Sequence, residues 1–234
     1  MRVMSESIAV RCPACGRRHR YTAPTYPCAC GAPVAPSLDA HGTATAVTHR
    51  AWDEEWVDVR CAACGSDSQW PRPEMGCPCG TVLCVPVDRA DADHGHGHGH
   101  SHGAPVSRGP ARRAVPIRTA LDAVTAAVLY LRGLGHQDVR RADQPPTAGI
   151  GLAAHGVVAQ VDPTVRPASV RDVECLWLTA MAESADCLYF SLAGYADDAR
   201  DRADRLGVPL FVLDPTGVAR PVNAPAVALD ATAG

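Results

Sequence analysis

Eleven cysteines stand at 12, 15, 28, 30, 61, 64, 77, 79, 84, 175 and 187, and the first eight form two copies of one pattern, C-x2-C-x12-C-x-C. An offset of 49 residues carries the first copy onto the second, and it covers more than sulfur. Arg11 falls on Arg60, Gly16 on Gly65, Tyr21 on Trp70, Pro24 on Pro73 and Gly31 on Gly80. The unit is a duplicated module, running roughly from Ile8 to Val34 and again from Val57 to Val85. Two close pairs of thiolates a dozen residues apart can converge on a tetrahedral ion, and zinc suits four sulfurs because it takes no part in redox chemistry. Each copy therefore reads as a ribbon holding its own structural ion, through Cys12, Cys15, Cys28 and Cys30 in the first and Cys61, Cys64, Cys77 and Cys79 in the second. The intact spacing inside each copy favours this over cross-pairing between copies. Disulfides and an iron–sulfur cluster are the competing chemistries. Four thiolates leave no position for water, so the expected role is scaffolding. A module this short cannot bury enough apolar surface to fold alone, and metal binding would supply much of its folding free energy.

A second set of ligand-type residues, His94, His96, His98, His100 and His102, alternates with Gly or Ser. Tandem imidazoles can hold zinc, nickel or copper loosely; the competing reading is a passive low-complexity connector. A third kind of chemistry is phosphate recognition. Residues 1–36 hold five Arg against one Glu, and Arg11, Arg17, Arg18 and Arg20 with Tyr21 could contact phosphates while the aromatic stacks on a base. The second copy, residues 57–88, has only Arg60 and Arg72 against Asp58, Asp67, Glu74 and Asp88. A solvated ribbon that packs on another protein is the plainer alternative for both.

These residues lie in a chain of 234, with 47% apolar and 20% charged residues and a net charge of -3. No apolar run approaches the roughly 18 residues of a spanning helix, and the N-terminus has no hydrophobic signal core, which excludes a membrane role and points to the cytoplasm. All 22 basic side chains are arginine; there is no lysine. Composition and periodicity divide the chain into a ribbon over 8–36, an acidic connector over 37–56 with Trp52 and Trp56 near its end, a second ribbon over 57–88, a His/Gly-rich linker over 89–114, an α/β domain over 115–221 and a tail over 222–234. Residues 56–59 alternate as a strand leading into the second ribbon. Cys84, Cys175 and Cys187 read as small buried thiols.

In the α/β domain, Ile117, Leu121, Val124, Val128 and Leu131 form one apolar stripe of a helix that starts after Pro116 and ends near Gly133. Strands are expected over 136–141, 149–153 and 157–161, the last two joined by a turn at His155-Gly156. Ser169 can cap a helix burying Val170, Val173, Trp177 and Met181. A strand over 187–190, a helix over 197–206 with Asp198/Arg202 and Asp201/Arg205 pairs, and a strand over 208–213 complete the order αβββαβαβ.

That order and several stretches within it resemble the Mrr-type restriction endonuclease domain of the PD-(D/E)xK nuclease fold. The residues carrying the resemblance are Leu134-Gly135-His136, Gly149-Ile150-Gly151-Leu152, Val158-Ala159-Gln160-Val161-Asp162, Ser169-Val170-Arg171-Asp172-Val173, and Gly194-Tyr195-Ala196-Asp197-Asp198-Ala199 running into Arg205-Leu206-Gly207-Val208. They cover about 100 residues. The resemblance implies a mixed sheet and a metal-dependent nuclease site, with an acid in the Gly-Ile-Asp-Leu stretch and a lysine two residues after the glutamine. Here those positions are Gly151 and Asp162, and only Gln160 matches. With no lysine in the chain, realignment cannot restore the missing amine, and arginine is no substitute for it.

A relocated magnesium site would have to use Asp122, Asp138, Asp143, Gln160 or Asp162, with Arg140 replacing the positive charge. From Val115 onward ten Arg face fourteen acids, which disfavours a long phosphate track. The expectation is a protein with two structural zinc ions and a degenerate, non-cleaving nuclease-like domain. Its expected partner is DNA, with RNA or a protein of a nucleic-acid-processing or defence system as other candidates. An active endonuclease needing Mg, and a zinc-handling or interaction scaffold, are the rival readings.

Overall fold

The computed structural model describes residues 7–48, 56–88, 115–142 and 149–232. The histidine run 94–102, the linker around it, Trp52 and Asp143 lie outside these residues.

The N-terminal half is built of short hairpins, each ending in a cysteine pair. β1 (Ser7–Arg11) pairs antiparallel with β2 (Arg18–Thr22), and β3 (Tyr26–Pro27) with β4 (Pro33–Val34). After β5 (Thr45–Ala46), the second copy repeats the plan with β6 (Trp56–Arg60) against β7 (Asp67–Pro71) and β8 (Glu74–Gly76) against β9 (Val82–Cys84). Alternation of exposed and buried residues along β1 and β6 puts Ile8, Val10, Val57 and Val59 inward. The connector is partly structured: β5 adds to β9 as a third strand, Leu38 bridges Val87, and Leu38 and Ala44 are buried.

The C-terminal half is a six-stranded mixed sheet between two helical layers. α1 (Ala120–Gly133) begins three residues later than its apolar stripe suggests, because Thr119 and Asp122 form a reciprocal capping box there. Ile117 stands before the helix, its amide bonded to the Pro215 carbonyl. β10 (Arg140–Arg141) is the only part of 136–141 that pairs as a strand; β11 (Ile150–Ala154) and β12 (Val157–Asp162) follow, turning at His155-Gly156 as expected. α2 (Val170–Glu183) starts at a second capping box, Ser169 with Asp172. β13 (Asp186–Ser191), α3 (Asp197–Leu206), β14 (Leu210–Leu213), β15 (Ala219–Pro221) and α4 (Ala224–Thr232) complete the chain. The strands lie in sequence order; β12, β13 and β14 run parallel and the other neighbours antiparallel. α1 and Ala226 of α4 cover one face, α2 and α3 the other.

Three details correct the sequence reading. On α2 the buried face is Val173, Leu176 and Ala180, while Met181 is 60% exposed. Ala180 and the alanines at 199 and 203 of α3 share one apolar cluster, and their small side chains set the face that the two helices bury. Arg202 of α3 pairs with Glu174 of α2 at 2.7 Å rather than with Asp198, and Arg205 donates to the Asp201 carbonyl rather than its carboxylate. The segment read as a tail carries α4, because buried Asn223 fastens it: its side-chain oxygen accepts from the amides of Leu210 and Ala226, and its amide donates to the Val208 carbonyl.

The two halves share one core. Tyr26 and Trp70 stack at 4.5 Å with their planes 5° apart, beside Val57 and Val59 and the alanines of α1. The Val165 amide, after β12, donates to the Thr25 carbonyl.

Candidate metal centres

The eight module cysteines gather in two groups of four, and each group draws on both copies. Cys12 and Cys15 meet Cys77 and Cys79; Cys28 and Cys30 meet Cys61 and Cys64. This overturns the expectation of one ion per copy. Spacing of a dozen residues lets a chain close on itself, but here each C-x2-C hairpin end packs against the C-x-C end of the other copy, so the sulfurs converge across the repeat. Within each group all ligand atoms lie within 4.8 Å of one another. The cross-copy contacts are 3.8 Å for Cys12–Cys79, 3.6 Å for Cys15–Cys77, 3.7 Å for Cys28–Cys64 and 3.8 Å for Cys30–Cys61. Thiolates about 2.3 Å from a central zinc stand about 3.8 Å apart along the edges of a tetrahedron. The donor set and its size fit a tetrahedral, sulfur-loving ion such as zinc. All eleven cysteines are free thiols, far from disulfide contact.

Each sulfur pair is presented by the same local device. The first cysteine of the pair is buried, the second exposed. Its carbonyl accepts from the following glycine amide, as Cys12 does from Gly16 and Cys61 from Gly65, and both glycines have positive φ, 73° and 72°. A side chain there would strain the backbone. The glycines of the C-x-C turns, Gly31 and Gly80, behave alike.

The second copy supplies hydroxyls that the first lacks. Ser66 Oγ lies 3.0 Å from Cys64 Sγ, and Thr81 Oγ1 3.3 Å from Cys79 Sγ; these hydroxyls hold both thiols down to about 6. Their counterparts in the first copy are Arg17 and Ala32. His19 Nε2 stands 3.3 Å from Cys77 Sγ, a partner the sequence did not suggest. It is recoverable only once Cys77 is known to cross to the first hairpin. Such outer contacts orient ligands and neutralise thiolate charge.

The arginines expected to meet nucleic acid separate by strand alternation. Arg11 pairs directly with Arg18, and Arg20 lies two residues further along the same exposed face of the β1–β2 hairpin. Arg17 is exposed at the hairpin turn, its carbonyl taken by the Cys12 amide. Tyr21 points to the opposite face, against the small core of Ile8, Val10 and Leu83, where burial pushes its hydroxyl well up. It does not join the arginines as a stacking ring.

In the α/β domain the nuclease candidates have other duties. Asp122 caps α1, accepting from the amides of Arg118 and Thr119. Asp138 accepts from the His155 amide, and Arg140 extends along its own strand to the Arg141 carbonyl. Gly151 sits opposite Gln160 in the register. Gln160 donates to the Tyr189 hydroxyl at 3.0 Å, and that hydroxyl lies 3.5 Å from Asp162 Oδ2. Asp162 Oδ1 accepts from the Thr164 amide; burial pushes its carboxyl above the ordinary range. The network is sealed, with Gln160, Asp162 and Tyr189 all buried. Among the described residues, the only groups of three or more His, Cys, Asp or Glu placed to hold a metal are the two cysteine sets. Cys187 is buried and pushed up to about 11; Cys84 and Cys175 are half-buried.

Together these features define two groups of four cysteines, each able to hold a metal ion, docked on a mixed α/β domain. No protein-family model matches the chain, and no curated protein matches it. Among the described residues, no helix is long and apolar enough to cross a membrane.

Proposed function

We propose that this chain is a zinc-stapled protein that binds nucleic acid through the outer face of its first hairpin and carries an Mrr-like domain that does not cleave. One difference between the copies carries the reading. At equivalent register positions, Arg60 faces Asp67 and pairs with it at 3.4 Å, whereas Arg11 faces Arg18. Like charges directly across an antiparallel pair repel, and a bound phosphate relieves the repulsion. Arg11 lies over Gly16 at the turn, as Arg60 lies over Gly65, while Arg18 and Arg20 stay exposed. The capping role of Asp122, the sealed Asp162 and the absence of lysine all speak for a domain without cleavage.

The test is a salt series with duplex and single-stranded DNA and RNA, with magnesium present. Binding should weaken steeply with salt, and Arg18→Ala with Arg20→Ala should cut the log–log slope by about two. Nucleic acid should emerge uncut. Failure to bind any of these at low salt would move the function to a protein partner or to metal handling.

A further inference from the structure

Between the metal module and the α/β domain lies a cleft of about 760 Å3, within the roughly 300–1,000 Å3 common for small-molecule sites. Both halves line it. Arg72, Glu74 and Tyr21 come from the module; Arg141, Thr164 and Arg166 come from the domain. Three arginines and one acid, Glu74, thus line one hollow, in a chain whose net charge is negative.

We propose that this cleft binds a phosphate-bearing ligand of nucleotide size. Arg72 is the strongest indication. It lies between β7 and β8, flanked by Pro71 and Pro73, and its Nε is buried with no hydrogen-bond partner. Its guanidinium stands beside the Cys84 thiol, so an anion in the cleft would meet the ends of the fork rather than the buried Nε. Arg166 is anchored twice: its Nη2 donates to the buried Asp172 carboxylate at 3.1 Å and its Nη1 to the Pro167 carbonyl at 3.5 Å. Arg141 reaches the same hollow from β10. The Tyr21 ring offers an apolar wall for a base or sugar, which explains why this residue turns away from Arg18 and Arg20. Arginines and an aromatic wall lining one cleft are the elements of nucleotide recognition.

The site is separate from the hairpin face of Arg11, Arg18 and Arg20: none of these three lines the cleft, and Tyr21, which does, lies on the other face of β2. Its success or failure is therefore independent of the nucleic-acid reading above.

The experiment is isothermal titration of the metal-loaded full chain with inorganic phosphate, a nucleoside 5′-monophosphate, the unphosphorylated nucleoside, and a short oligonucleotide with and without a 5′-phosphate. The monophosphate should bind with a submillimolar Kd, phosphate should compete with it, and the nucleoside should bind at least about tenfold more weakly. Arg72→Gln and Arg141→Gln should each weaken binding about tenfold or more. If only the 5′-phosphorylated oligonucleotide binds, the ligand is a strand end rather than a free nucleotide, and phosphate recognition stands. No binding of any phosphate compound at millimolar concentration, equal binding of the nucleoside, or indifference to both substitutions would overturn the proposal. Metal content and melting of each variant are measured alongside; should Arg72→Gln fail to fold, Arg141→Gln and Arg166→Gln decide.

Discussion

The two candidate metal centres have the same cysteine pattern and different neighbours. The centre of Cys28, Cys30, Cys61 and Cys64 is set into the main core: its buried members Cys28 and Cys61 lie with Tyr26, Trp70 and the alanines of α1. The centre of Cys12, Cys15, Cys77 and Cys79 closes a satellite core of Ile8, Val10, Leu38, Leu83 and Val85. Metal binding stabilises whatever packs on its ligands. One centre is therefore coupled to the α/β domain, and the other to its own hairpins and to the arginine face they present.

Removing a ligand from each centre tests this most severely. Apparent binding free energies for structural zinc run to about 10–16 kcal/mol, so each loss should be large locally. Cys61→Ser should lower bound metal from two ions to one and strip hydrogen-exchange protection from α1. Cys12→Ser should remove one ion and leave α1 protected. Equal loss of α1 protection in both variants would end the distinction.

The next effect concerns the aromatic pair. Trp70 is 1% exposed and stacked on Tyr26, so Trp70→Ala should cost about 3–5 kcal/mol in urea unfolding. Its repeat counterpart Tyr21 is half-buried, and Tyr21→Ala should cost visibly less. Reversed magnitudes would place the main structural seam at the wrong centre.

A smaller effect sharpens the comparison from the opposite direction. Gly16 and Gly65 share the same positive φ, and an added Cβ at either would meet only an arginine tip at 3.6 Å. Gly16→Ala and Gly65→Ala should each cost about 1–2 kcal/mol of local strain. Any difference between them, read by metal affinity and by melting, then measures coupling rather than sterics.

The smallest effect lies where β12 ends beside the module. Burial raises the Asp162 carboxyl in the folded chain, so the folded state binds its proton more tightly than the unfolded state. Stability from this group is full below the ordinary carboxylate range and is lost as pH rises through the raised value. Asp162→Asn, which keeps an acceptor for the Thr164 amide, should melt higher than the parent at pH 7, with the gap closing in acid. A gap that widens in acid would contradict this.

The ligands themselves were legible because thiolate chemistry requires close pairs and following glycines. Their partners were not, because which hairpin ends meet is decided by packing between copies, and sequence separation carries no record of it. The helices and central strands followed from apolar period and caps. Met181 misled because a helix face is centred by what its neighbour can accept, here the alanines of α3. α4 escaped because an alanine-rich segment with a proline near its start shows no stripe; its anchor, Asn223, acts through contacts with β14 and with Val208 just before it. Gln160 and Asp162 stood out in the sequence as candidate site positions, but Tyr189 and the sealing did not, since burial of Asp162 depends on Tyr189 and Thr164 closing over it.

Crossed ligation also says something about history and synthesis. One copy of the repeat contributes half of each of two centres and completes neither, so a solitary ancestor of this unit would gain its metals by pairing with its twin, and gene duplication would then join the twins in one chain. On the ribosome the same arrangement imposes an order. The centre nearer the α/β domain in the fold closes once Cys64 has emerged, while the first cysteine made, Cys12, must wait for the last two of the eight, Cys77 and Cys79, before its centre can close.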